Sequence, residues 1–171
     1  TYVYHDNTRD MLLDEWRTEE NYDQYILYRD RLIAFYIERG MDAYQNDNNR
    51  LALNDFNRAL ELNAEDVRLY LHRGRVYVDM ADYDAALADF ERVIEATPED
   101  GDAFYWRGRA QYGLKNYDAA IQDFTKAIEL QPEDAANYYW RGRAHDALDK
   151  NSHALADFSK SIELNPENGY V

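Results

Sequence analysis

Glycines at Gly40, Gly74, Gly108 and Gly142 stand 34 residues apart, and a phenylalanine follows each by 16, at Phe56, Phe90, Phe124 and Phe158. A fixed period of this length marks a chain of repeated supersecondary units, each too small to bury its apolar face alone, and argues against a single compact core. The same register holds Ala52, Ala86, Ala120 and Ala154, an aspartate directly before each phenylalanine, and Pro98, Pro132 and Pro166 closing three of the units. Four units follow at 33–66, 67–100, 101–134 and 135–168, after an N-terminal extension at 1–32 and before a short tail at 169–171.

Each unit carries two helical patterns. In the second unit the first helix is expected near 68–80 and the second near 83–96, where Ala86, Leu87, Phe90 and Ile94 recur at helical spacing. Short turns such as Leu114-Lys115-Asn116 separate the pair. Between units, Asn63, Thr97, Gln131 and Asn165 precede Ala64 or a proline, and acidic pairs such as Glu99-Asp100 follow. Proline and acids suit a helix N-terminus, where unpaired N–H groups and the helix dipole favour negative charge. The glycine and alanine columns are small where two helices must approach closely.

Residues 1–32 depart from the register, with Thr18, Tyr22 and Tyr25 where the small and aromatic columns belong. The stretch from Tyr22 to Gln45 reads as one continuous helix. A shorter helix near 10–20, with Met11, Leu12 and Trp16 as its apolar face, would fold back as a cap; the alternative is a disordered leader.

The net charge of −15, with a pI near 4.5, repels phosphate backbones and makes nucleic acid and anionic membrane poor partners. No apolar stretch approaches the roughly 20 residues that cross a bilayer, so the chain reads as soluble and without membrane insertion, with its compartment open. Without cysteine there is no disulfide, thiolate nucleophile or zinc–thiolate site. The opening Thr1 and the stop at Val171, where a further unit would begin, suggest a fragment or a processed form.

Taken together the units resemble the tetratricopeptide repeat (TPR) family, whose pattern sets an aromatic, a glycine, then Tyr, Ala, Phe and Pro at fixed intervals. The second unit matches best, with Tyr70, Gly74, Tyr77, Ala86, Phe90 and Pro98. The resemblance implies an all-α, right-handed superhelix of antiparallel helix pairs whose first helices line a concave groove. It also implies a module that binds protein.

Where that family usually has leucine before its glycine, this chain has Arg39, Arg73, Arg107 and Arg141. Helical phase puts them beside Phe35, Leu69 and Ala103, and beside Met80, Leu114 and Leu148, read as inward packing residues. An inward guanidinium needs a counter-charge, and the aspartate column Asp55, Asp89, Asp123 and Asp157 supplies one. A structural Arg–Asp bridge is expected in every unit, either within one hairpin or onto the next.

A second column, Arg75, Arg109 and Arg143, lies 200° around the first helix from the packing face, with Leu71, Tyr105, Tyr139, Val78, Tyr112 and Asp146. In the family that face lines the groove. Flanked by Trp106 and Trp140, these residues form a basic, aromatic stripe suited to an extended, carboxylate-bearing peptide or protein segment. The competing reading pairs Asp79 with Arg75 and Asp146 with Arg143 along their own helices, leaving a neutral solvated face. The best-known ligands of the family are chaperone tails held by lysines and asparagines. The groove here offers arginine and tyrosine instead, with Ile37 and Met41 in the first unit, so that clamp is not carried over.

An alternative function is self-assembly, end to end or through an uncovered last helix carrying Leu155, Phe158 and Ile162, which makes the chain a monomer or a weak homo-oligomer. Catalysis has little to rest on. Three serines cluster on the last helix, no phosphate-cradling loop or metalloprotease pattern occurs, and His5, His72, His145 and His153 share no column or helical phase. No cofactor, metal or catalytic residue is assigned.

Overall fold

The computed structural model describes residues 22–166, and helix is the only regular secondary structure among them. The cap expected near 10–20, His5 and the tail at 169–171 lie outside the described residues. The chain divides into two compact units at Asp66/Val67.

In the first unit, α1 (Tyr22–Gln45) runs without a break through position 33 and pairs with α2 (Asn49–Leu62). The extension and the first repeat therefore share one helix. Its core is Leu32, Ile33, Tyr36 and Ala43 against Ala52, Phe56, Ala59 and Leu60, all buried.

The second unit holds three hairpins: α3 (Val67–Asp79) with α4 (Tyr83–Ala96), α5 (Gly101–Gly113) with α6 (Tyr117–Leu130), and α7 (Ala135–Asp146) with α8 (Asn151–Leu164). In addition α4 packs on α5 and α6 on α7, the first helices of the hairpins that follow them, and α5 touches both α3 and α7. Three first helices thus lie side by side, which is the α-solenoid arrangement.

Local chemistry explains the punctuation. Asp82, Asp100 and Asp134 each accept a backbone N–H of the helix they precede, from Ala85, Ala103 and Ala136 respectively. Asn63, Thr97, Gln131 and Asn165 close α2, α4, α6 and α8, each donating its backbone N–H to a carbonyl four residues back. In the turn inside each hairpin one residue takes a left-handed backbone: Asp47, Ala81, Lys115 and Asp149, with φ between 57° and 63°.

The glycine column is required by close approach. A Cβ on Gly74 would stand 2.5 Å from the Phe90 ring, and one on Gly40, Gly108 or Gly142 would stand 2.8–2.9 Å from Phe56, Phe124 or Phe158. The two columns that define the repeat are one contact, made in each hairpin. Two of the residues read as inward packing are not inward: Phe35 is 38% exposed and Met80 45% exposed. Met80 follows the last residue of α3, so helical phase runs past the helix there, whereas Phe35 lies near the middle of α1 with its ring at the surface, 4.9 Å from the Arg39 guanidinium. Leu69 and Ala103 are fully buried at the same phase. The fourth member of that column, Asn137, is also fully buried, and neither atom of its amide has a hydrogen-bond partner.

Candidate protein-interaction face

The two arginine columns have separate surroundings. In the first, Nε and Nη2 of Arg107 donate to Asp123 at 3.0 and 2.6 Å, with the same two-pronged geometry for Arg39–Asp55, Arg73–Asp89 and Arg141–Asp157 at 2.6–2.9 Å. Each pair closes within its own hairpin. Arg141 also donates to the Thr125 hydroxyl at 3.2 Å, tying α7 to α6. The carboxylates are buried, and the bonds from Asp89 and Asp123 hold Arg73 and Arg107 above the ordinary guanidinium range, against the cost of burial. Burial in turn pushes the Asp123 carboxyl up, with Arg107 pulling it back down.

The second column stands on the face shared by α3, α5 and α7. Its guanidiniums lie over indole rings in alternation: Arg75 is 5.0 Å from the centre of Trp106, which is 5.1 Å from Arg109. Arg109 is 4.1 Å from Trp140, and Arg143 lies 4.8 Å from that ring on its other neighbour. The result is a run Arg75–Trp106–Arg109–Trp140–Arg143 that crosses three hairpins. Each such contact contributes about 0.5–2 kcal/mol, depending on desolvation.

Trp106 and Trp140 are therefore not flanking residues of an open stripe. Trp106 packs with Leu71 on the cluster of Val78, Ala86, Phe90 and Ala110, and Trp140 packs with Tyr105 and Tyr112 on Ala120, Phe124 and Ala144. Tyr139 leans on Phe158, ring centres 5.9 Å apart. Every aromatic residue of the face is half-buried, so the face is a rigid surface with rings partly spent on packing. Sequence phase showed which side of a helix these rings occupy; which neighbouring hairpin they meet appears only once the hairpins stack.

Two arginines of this face, Arg109 and Arg143, lie against rings and a hydroxyl. Arg109 donates to the Tyr105 hydroxyl at 3.3 Å and bonds no carboxylate among the described residues. Arg143 lies over Tyr112 and Tyr139 at 5.2 and 5.9 Å, and no ion pair joins it to Asp146, which is exposed.

Two of the four histidines, which share no column in the sequence, are brought together. His145 of α7 and His153 of α8 have ring centres 5.1 Å apart, and Nε2 of His145 is 3.8 Å from the Asp157 carboxylate. Burial holds the His145 imidazole below its ordinary range; Asp157 pulls upward, while His153, Arg141 and Lys150 push down. Among the described residues no group of three or more His, Cys, Asp or Glu has a metal-holding arrangement. Nor is any described helix long and apolar enough to cross a membrane.

Comparison with known proteins agrees with this architecture. The tetratricopeptide repeat family profile matches residues 37–79, 71–135 and 112–169. Among solved structures, MamA (41-end) from Desulfovibrio magneticus RS-1 is similar at 20% identity and TM-score 0.74, covering 95% of this chain and 96% of that one. A thermophilic TPR protein from Thermus thermophilus is similar at 19% identity and TM-score 0.72, covering 78% and 75%. The Arabidopsis OM64 TPR domain is 22% identical at TM-score 0.66, covering 69% of this chain and 98% of that domain. At these identities the likeness is one of fold. No curated protein matches the chain. The family profile spans most of the chain and the hairpins carry its columns: the chain belongs to the tetratricopeptide repeat family, a family of protein-interaction scaffolds.

Proposed function

We propose that this chain is a non-catalytic interaction module whose α3/α5/α7 face binds an extended, acidic or carboxylate-bearing segment of a partner protein. The observation that carries the reading is the set of guanidiniums at Arg75, Arg109 and Arg143, stacked on Trp106 and Trp140 in a chain of net charge −15. Over a ring, the guanidiniums of Arg109 and Arg143 can still offer N–H groups to a planar acceptor, which a lysine could not reproduce. Leu71, Tyr105, Tyr112 and Tyr139 supply the apolar and hydroxyl-bearing surface alongside. Arginine and aromatic anchors of this kind dominate binding energy at protein interfaces.

A peptide array probed with the native chain and with an Arg75→Ala/Arg109→Ala/Arg143→Ala variant of native helicity tests it. Retention of acidic peptides by the native chain alone supports the reading, and equal retention by both dismisses it.

A second reading, self-association through α8, rests on Leu155 at 69% and Ile162 at 45% exposure. Their equivalents Leu87, Ile121, Ile94 and Ile128 are half-buried. Sedimentation over a wide concentration range separates the two, because a monomer throughout removes association.

A further inference from the structure

Repeats make departures from the repeat informative, and two departures of the third unit fall at one cavity. The position held by Gln45, Asp79 and Ala147 in the other units is Gly113, and the left-handed turn position held by Asp47, Ala81 and Asp149 is Lys115. Both line a cavity of about 310 Å³ in the second unit, together with Arg109 and Trp140. Gly113 is needed there: a Cβ would stand 2.3 Å from the Tyr83 ring, which forms part of the wall. Tyr112 and Tyr117, ring centres 5.3 Å apart, form more of it.

The charge of this cavity is opposite to that of the chain. Two cations line it and no carboxylate does. Among the described residues Lys115, which is exposed, makes no ion pair or side-chain hydrogen bond, and the Tyr105 hydroxyl is the one side-chain hydrogen-bond partner of Arg109. The volume sits at the low end for ligand sites, roughly 300–1,000 Å³, and so suits one side chain or chain end rather than a large ligand. The Arg109 guanidinium lies 4.1 Å from the centre of the Trp140 ring and spends Nη1 on the Tyr105 hydroxyl, which leaves further N–H groups for a carboxylate; exposed Lys115 adds a point charge.

We propose that this cavity is a specificity pocket for a single carboxylate on the bound segment, held by Arg109 and Lys115 between Trp140 and the three tyrosines. The proposal rests on the reading of the α3/α5/α7 face as a peptide-binding surface and assigns that surface its selective point. The carboxylate comes from an acidic side chain or from a C-terminus, and its apolar stem lies against the rings.

The test is a titration followed by tryptophan fluorescence, since Trp140 lines the pocket. The probes are a peptide of alternating glutamate and alanine with a free C-terminus, its glutamine counterpart, its C-terminal amide, and inorganic phosphate. Lys115→Ala weakens the glutamate peptide by about tenfold, and Lys115→Glu weakens it further, while Lys126→Ala on the outer helix changes nothing. Loss with the glutamine peptide assigns the carboxylate to a side chain, and loss with the amide assigns it to the C-terminus. If both charge-removed peptides bind like the parent, or phosphate competes at equal concentration, carboxylate selectivity is overturned. If the Lys115 variants bind as the native chain does while the triple arginine variant does not, the pocket is overturned and the face survives. If the native chain binds none of these peptides, the broader reading falls with it.

Discussion

At the residue scale, the repeated Arg–Asp pair is a desolvated charge pair that stabilises little as a pair and costs much when halved. Asp123 is buried while the Arg107 side chain is 24% exposed, so Asp123→Ala should destabilise less than removal of Arg107 alone, which strands the carboxylate. Chemical denaturation is expected to show a loss of about 3 kcal/mol for Arg107→Leu. The double variant Arg107→Leu/Asp123→Leu should recover most of that loss, and an additive double loss would refute the coupling. Asn137 offers the opposite case. Its fully buried amide has no partner, so Asn137→Leu, the residue at the equivalent position 69, should raise stability by about 1–2 kcal/mol. A thermal melt reads this directly, and a lower midpoint would mean that the amide is satisfied by a bound water. His145 sets a pH dependence. Its folded-state value lies below the unfolded value of 6.5, so the folded chain binds fewer protons, and stability falls as pH drops through that value. His145→Leu should flatten the melting temperature between roughly pH 7 and 5.5, with His153 as the remaining nearby imidazole.

At the element scale, the helix limits were legible because two independent signals coincide: apolar period within helices, and Asp, Asn, Thr or Gln beside proline at their ends. The observed α4 at Tyr83–Ala96 begins at Tyr83 because Asp82 caps it. The second helices are not capped alike. Asn48 and Asp82 accept a backbone N–H at the starts of α2 and α4, whereas Asn116 before α6 makes no cap bond and Lys150, at the same position before α8, has no side-chain acceptor to offer. Lys150→Asn should therefore stabilise by about 1 kcal/mol, seen as a higher melting temperature, despite losing the exposed bond from Lys150 to Asp118. No change would indicate that the α8 start frays in solution. Legibility stopped where a contact needs two hairpins. Helical phase on one helix could not show that Trp140 would stack on Arg109 of the preceding hairpin, or that His145 and His153 would meet. Nor could it show that Met80, at the correct phase, would pass the end of the helix that covers its column.

At the scale of the whole molecule, the charge distribution and the repeat period act together. A net charge of −15 disfavours anionic partners at long range, and a local row of stacked guanidiniums favours them at contact. On the proposed reading, binding of an acidic segment runs against the global field, and screening reduces both terms: modest salt should weaken it less than the contact charges alone would suggest. The most direct test of the central claim is calorimetric titration of an acidic peptide, selected on the native chain, into the native chain and into the Arg75→Ala/Arg109→Ala/Arg143→Ala variant. The account predicts that native binding is lost in the variant while its helicity is retained. Equal affinity for both proteins would contradict it.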